Sequence, residues 1–162
     1  MNIITRYTPT LIKMPIKSSS IYRPTRDEYF LEMLQLVSSR STCLRRQVAA
    51  IITSKNGHVL ATGYNGVPQG FEHCVDHPCE GINDAPGNSE RCLAVHAEIN
   101  ALLQCCDITQ AHTLYTSVSP CFACAKAIAN TPIKKVISTE QYVCTRGVSI
   151  LKEAGITLVC RN

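Results

Sequence analysis

No apolar run in this chain approaches the roughly 18 residues that a membrane-crossing helix needs, so no membrane span is expected. A secretory apolar segment is missing too. Ten cysteines without one point to a reducing, cytoplasmic setting and to metal ligation rather than disulfides. Acidic residues are missing from residues 1–26, where Arg6, Lys13, Lys17, Arg23 and Arg26 concentrate the positive charge. In residues 27–162 eleven Lys/Arg face twelve Asp/Glu, a balance that suits a small substrate better than a polynucleotide. At 162 residues the chain is one domain, large enough for an ordinary core.

Residues 1–24 are rich in Ser and Thr and interrupted by Pro9, Pro15 and Pro24. They are expected to form an N-terminal extension, disordered or lying along a neighbouring subunit, rather than a transit peptide. The domain proper is 25–162. Thr25-x-x-Glu28 is a capping box opening a helix to about Ser39, with Phe30, Met33, Leu34 and Val37 on its buried face. Gln47–Ser54 reads as a buried strand, Lys55-Asn56-Gly57 as a hairpin turn and His58–Thr62 as the returning strand. A long irregular loop, residues 67–91, needs something to hold it, and a metal would do so.

Beyond the loop, a helix from His96 to about Cys106 buries Ile99, Ala101, Leu102 and Cys105. His112–Ser117 is a strand, Cys121–Asn130 a helix, Ile133–Ser138 a strand, Val148–Ala154 a helix and Ile156–Cys160 the last strand. The order α-ββ-α-β-α-β-α-β predicts an α/β fold, a five-stranded mixed sheet with helices on both faces in three α/β/α layers.

Two short stretches carry the chemistry: Val95-His96-Ala97-Glu98 and Ser119-Pro120-Cys121-Phe122-Ala123-Cys124, an H-x-E followed by a P-C-x-x-C. One imidazole and two thiolates, from His96, Cys121 and Cys124, fill three corners of a zinc tetrahedron and leave the fourth for water. The metal lowers that water's pKa to about 7. Glu98, two residues beyond His96, is placed to hold the water's proton. Cys121 and Cys124 share a helix face, Pro120 suits the first helical position, and a helix N-terminus favours thiolates. A buried CxxC beside an unrelated histidine is the bland alternative, and the H-A-E ahead of it argues against that.

A second, structural zinc is expected at Cys43, Cys74, Cys79 and Cys92, since four thiolates close a tetrahedron and leave no open corner. His73 and His77 are rival ligands, His77 in place of Cys79. Ordinary buried cysteines are the other alternative.

An H-x-E with a P-C-x-x-C is the signature of zinc-dependent nucleobase deaminases. From about Tyr29 to Cys160 the sequence resembles the deoxycytidylate (dCMP) deaminases of the cytidine deaminase superfamily. The branch rests on Ser41-Thr42-Cys43, Gln47-Val48, Thr62-Gly63-Tyr64-Asn65-Gly66, and Cys74, Cys79 and Cys92. The resemblance implies a cytidine-deaminase-like fold and hydrolytic deamination of dCMP to dUMP and ammonia for thymidylate precursor supply. It gives the catalytic zinc to His96, Cys121 and Cys124, and proton transfer to N3 and the leaving amino group to Glu98. It also implies substrate contacts at Asn65, Ala97 and Tyr142, and an allosteric nucleotide site at Gly63, Tyr64, Asn65 and Gly66. There dCTP activates and dTTP inhibits, with Mg²⁺, in a homohexamer.

Several points stay open at this level. Tyr142 is equally readable as a surface tyrosine, and Arg45 and Arg46, which could reach a phosphate, are more simply read as solvated. Val48-Ala49-Ala50 departs from the family's Val-Gly-Ala, so a methyl could crowd the effector. Free cytidine, dCTP or a tRNA adenosine as substrate would keep the same chemistry. The helix between the last two strands disfavours the free-cytidine branch, and the charge balance disfavours tRNA. A non-catalytic zinc-stabilised module would have no use for Glu98.

Overall fold

The computed structural model describes residues 22–161 except Pro86 and Ser89, so nearly all of the expected extension lies outside the described residues. Thr25 Oγ1 accepts a hydrogen bond from the Glu28 N–H at 3.3 Å, and the Glu28 carboxylate accepts one from the Thr25 N–H at 2.7 Å. The capping box therefore forms, and α1 runs Arg26–Ser38. There follow β1 (Ala49–Ser54), β2 (Val59–Tyr64), α2 (Ala97–Gln104), β3 (Ala111–Val118), α3 (Phe122–Ala129), β4 (Lys135–Glu140), α4 (Arg146–Glu153) and β5 (Thr157–Cys160).

The strands form one sheet in the order β2-β1-β3-β4-β5. β1 is antiparallel to both β2 and β3, and β3, β4 and β5 run parallel, each pair joined by a helical crossover. Side-chain alternation sorts the core into two faces. Ala49, Ile51, Tyr115 and Ile137 pack against Phe30 and Leu34 of α1. Ala50, Ile52, Leu114 and Val136 pack against Ala97 and Ala101 of α2, Cys124, Ala125 and Ile128 of α3, and Leu151 of α4. This is the expected five-stranded mixed sheet in three layers, with one helix on one side and three on the other.

Several boundaries move for local reasons. β1 starts at Ala49 rather than Gln47 because the Val48 N–H goes to the Asn65 side chain, at 2.8 Å, instead of to a neighbouring strand. α2 stops at Gln104 because Cys105 turns to extended backbone, so Cys105 packs against the core from beyond the helix. The hairpin turn holds Gly57 at φ +86, which suits glycine. Pro120 is not the first helical residue: Cys121 is the N-cap of α3, and Pro120 lies just outside it. The 67–91 segment contains one short 3₁₀ turn, Glu80–Asn83. Among the described residues no helix is long and apolar enough to cross a membrane.

The Ala49 methyl faces the α1 side of the sheet, against Phe30 and Leu34, whereas its neighbour Val48 lines the main cavity. The extra methyl is therefore taken up by the core. Gly63 answers to a different constraint. A Cβ there would lie 2.3 Å from the Ala97 carbonyl and 2.4 Å from the Ala101 nitrogen, so only glycine lets α2 lie this close on β2.

Candidate active site

His96 is the N-cap of α2 and Cys121 the N-cap of α3, both with extended backbone and neither with a capping side-chain hydrogen bond. Two helices thus point their uncapped first turns at one place, beyond the end of β3. The partial positive charge of those turns favours anions there. Cys124 follows one turn into α3, and Glu98 is the second residue of α2.

The Sγ atoms of Cys121 and Cys124 each lie 3.4 Å from His96 Nδ1. Zinc bonds of about 2.3 Å to sulfur and about 2.05 Å to nitrogen at the tetrahedral angle put N and S about 3.6 Å apart. The three donors therefore fit a zinc ion with little movement. Among the described residues they are the one set of three or more such donors within 4.8 Å of one another. Hydrogen bonds from Cys124 and then from His96 hold the Cys121 thiol down at about 4. The bond to Cys121, then burial, push Cys124 up, and the Cys121 bond raises His96.

Glu98 is 4% exposed, and burial pushes its carboxyl up from the usual range against the opposing pull of its own backbone N–H and of His96. It faces a cavity of about 380 Å³, within the range of small-molecule sites. His96, Ala97, Cys121, Asn65 and Tyr142 line the same cavity. His96, Glu98 and Cys121 thus share one space with the three expected substrate contacts, and Tyr142 is not a free surface side chain. Gly63, Tyr64 and Gly66 are not among its lining residues. Gly66 instead forms a two-hydrogen-bond bridge with Val95, at 2.8 and 3.3 Å, and the Tyr64 carbonyl accepts from Asn100.

The walls depend on residues that the motifs do not reveal. Asn65 Oδ1 accepts from the Val48 N–H at 2.8 Å and the Ser41 hydroxyl at 2.7 Å, and its Nδ2 donates to the Arg46 carbonyl at 2.7 Å. One buried amide therefore staples the 41–48 segment to the end of β2. Ser119 does the same across the site. Its N–H donates to the Glu140 carbonyl and its hydroxyl accepts from the Tyr142 N–H, both at 2.8 Å. Arg45 is not a solvated side chain: its Nη2 donates to the carbonyls of Asp84, Ala85 and Asn88 at 3.2, 3.3 and 2.9 Å. It folds that stretch of the long loop into a wall. Arg91 pairs with the Asp84 carboxylate behind it.

The four-cysteine set is gathered but open. Cys43, Cys74 and Cys79 are buried and line one small void, and Cys79 shares hydrogen bonds with Cys74 and Cys92. These thiols do not come as close together as the His96 set. The rival histidines point elsewhere, His73 to the Thr42 hydroxyl at 3.3 Å and His77 to Glu72 at 3.3 Å.

The α/β sandwich thus gathers a His/Cys/Cys set that could hold a metal ion, with a buried carboxyl beside it, at two helix N-termini, the donor set of a zinc-binding site. The chain belongs to the cytidine and deoxycytidylate deaminase family: the model of that family's zinc-binding region matches residues 24–140. It is 35% identical to the deoxycytidylate deaminase of Saccharomyces cerevisiae, over 98% of this chain and 52% of that one. It is 42% identical to the deoxycytidylate deaminase of Mycobacterium phage D29, over 74% of this chain and 98% of that one. Among solved structures, the dCMP deaminase of cyanophage S-TIM5 in complex with dCMP and dUMP superposes with a TM-score of 0.67 at 33% identity, covering 85% of this chain and 98% of that one. The chain spans about half the length of its yeast relatives, 52% of the Saccharomyces cerevisiae protein and 48% of that from Schizosaccharomyces pombe.

Proposed function

We propose that this chain is a zinc-dependent hydrolase that converts dCMP and water to dUMP and ammonia. The observation that carries the reading is the buried Glu98 carboxyl beside a His96/Cys121/Cys124 triad of zinc spacing, facing a nucleotide-sized cavity. Bound zinc would supply Lewis acidity that makes hydroxide available near neutral pH. Glu98 takes the proton as the water oxygen adds to C4 of cytosine, passes it to N3, and carries a second proton to the departing amino group. A carboxyl held up by burial can bind a proton between these steps and release it, as acid/base work in both directions requires. Asn65 retains one Nδ2 hydrogen beyond its staple contacts to donate to the deoxyribose. The Tyr142 phenol, kept neutral by burial, lies along the same cavity.

The finer parts of the reading rest on the cysteine pattern and on the resemblance. A structural zinc at Cys43, Cys74, Cys79 and Cys92 would require those thiols to draw in; the burial of the first three around one void, and the hydrogen bond between Cys79 and Cys92, support it. Activation by dCTP and inhibition by dTTP with Mg²⁺, in a hexamer, is assigned to the Gly63–Gly66 stretch. Its support is that Gly63 underlies the helix bearing Glu98, so a nucleotide that shifts β2 would move the catalytic carboxyl.

The decisive experiment is zinc-dependent loss of the cytosine chromophore on incubation with dCMP, with cytidine and with a cytosine-containing oligonucleotide. Turnover of dCMP alone supports the reading, and turnover of none of the three ends it. Sigmoidal dCMP kinetics made hyperbolic by dCTP would support the effector assignment, with a coupling of about 1–3 kcal/mol.

A further inference from the structure

We infer that Arg45 is a positioning residue that couples the four-cysteine cluster to the substrate cavity. A change inside the cluster then reaches the substrate as a change in affinity. The inference rests on the dCMP reading above and extends it to what holds one wall of that site.

The cavity and the cluster share a wall. Cys43, Arg45 and Ile82 line both the main cavity and the small void beside Cys74 and Cys79. The wall is the segment from Cys79 to Cys92, of which Ile82, Asp84, Gly87 and Asn88 line the main cavity. Both ends of that segment are cluster members, and Cys79 shares hydrogen bonds with Cys74 and Cys92. The 3₁₀ turn Glu80–Asn83 starts on Cys79 as its N-cap, and the Ile82 N–H donates to the Cys79 carbonyl at 3.1 Å. The returning chain lies close against this turn: a Cβ at Gly81 would fall 2.7 Å from the Cys92 nitrogen.

Between those ends the segment is held from outside by Arg45. Among the described residues, the hydrogen bonds that reach Asp84, Ala85 and Asn88 from beyond the segment all come from its Nη2. The donor is charged, so these bonds are of the stronger kind. Arg45 itself stands two residues beyond Cys43, a further cluster member. Every attachment of the wall, at both ends and in the middle, thus leads back to the cluster. Moving Cys79 or Cys92 pulls on carbonyls that one guanidinium holds, and moving Cys43 moves that guanidinium. Cys74 is the informative member to change. It lines the small void and not the main cavity, so an effect of Cys74 on the substrate must be transmitted.

The test is a double-mutant cycle in the full chain with zinc: the unmodified protein, Cys74→Ser, Arg45→Ala and the pair. Binding of dUMP and of deoxyuridine is measured by calorimetry, kcat and KM for dCMP by turnover, and amide hydrogen exchange over residues 80–92. Cys74→Ser is expected to weaken both ligands by about threefold or more in the unmodified protein. In the Arg45→Ala background it should weaken them by less than about twofold, the non-additivity of residues in one network. The loss should fall on KM rather than kcat, because the wall holds substrate without touching the reacting atoms. Exchange over residues 80–92 should speed up in each single variant and no further in the pair. Losses that multiply in the pair would make Arg45 and the cluster independent and overturn the inference. Unchanged binding in Cys74→Ser would overturn it too, as would an Arg45→Ala loss confined to dUMP, which marks a direct ligand of the nucleotide. Should Cys74→Ser not fold, Leu44→Ala replaces it under the same criteria, since Leu44 lines the small void alone and is 49% exposed. An unmodified protein that binds neither compound would overturn the dCMP reading instead, and the exchange cycle would still decide the role of Arg45.

Discussion

Glu98→Gln is the substitution on which the catalytic reading stands or falls. Glutamine preserves the size of the side chain but cannot accept a proton from water. Removal of a general base ordinarily costs 10²- to 10⁴-fold, and the structure argues for about 10⁴, or about 5 kcal/mol of barrier. Among the described residues no other carboxylate is placed to substitute: Asp84, the other acidic lining residue, is held by Arg91. The same change should stabilise the metal-free fold at neutral pH. Burial raises the folded pKa of Glu98 above its ordinary value of 4.5, so the ionised carboxylate costs stability once the pH has risen through that folded value. The sign follows: the melting temperature of chelated Glu98→Gln should exceed that of the chelated parent at pH 7, with the gap narrowing as the pH falls toward 4.5. Activity is read by dCMP turnover at matched zinc content, and stability by thermal denaturation after chelation. A variant that keeps a tenth of the parent activity at full zinc content would refute Glu98 as the proton carrier. Activity lost together with zinc and stability would make it a structural residue.

Three further outcomes are expected. Gly63→Ala puts a methyl 2.3 Å from the Ala97 carbonyl, so α2 must move off β2; overpacking of about 1–3 kcal/mol should lower the melting temperature by about 3–10 °C in a thermal scan. Metal analysis of purified protein should find two zinc per chain, falling to one in Cys74→Ser with loss of thermal stability; a parent with one zinc and freely titratable thiols at these positions would end the second-site assignment. The Thr25 N–H, with Thr25 and Tyr22 hydroxyls, holds the Glu28 carboxyl below its usual 4.5; the capping contribution is therefore present above that pH and lost as pH falls through the lower folded value. Glu28→Gln should then lower the melting temperature at pH 7 and leave it unchanged once the parent carboxyl is protonated. A difference that persists there would mean that charge is not what the cap supplies.

Local chemistry was legible in the sequence and long-range stapling was not. Thr25 and Glu28 cap one helix three residues apart, and Cys121 and Cys124 follow the pitch of another, so each pattern reflects geometry that one stretch of chain sets for itself. The H-A-E stretch joins them because the chemistry demands both halves. The resemblance makes Asn65 a substrate contact, and nothing in the local sequence shows that most of its amide is also committed to residues 17 to 24 positions away. Arg45 reads as solvated from sequence because its three carbonyl partners lie 39 to 43 residues downstream in a loop with no periodicity. Pro120 misleads for a related reason. Proline is compatible with both the first helical position and the one outside the cap, and the metal ligand takes the cap.

The placement of His96 and Cys121 at helix N-caps carries a cost that explains the site. A Ser, Thr, Asp or Asn at such a position stabilises a helix by about 0.5–2 kcal/mol through a bond to a first-turn N–H. Neither helix carries such an oxygen acceptor at its cap here, and both are short at eight residues. The N–H groups left uncapped act instead on the groups that must hold negative charge. The Cys124 N–H helps to keep Cys121 a thiolate, and the Glu98 N–H pulls against the burial that raises its carboxyl. A conventional cap at either position would give a better helix and remove a ligand together with the field that keeps it charged. Both helix starts are closely seated: α2 lies on Gly63, and α4 lies on the chain entering α3, where a Cβ at Gly147 would come within 2.2 Å of the Pro120 carbonyl. Those two glycines hold the helices that the caps do not, which is why a single methyl at Gly63 should disturb the cavity as well as the fold.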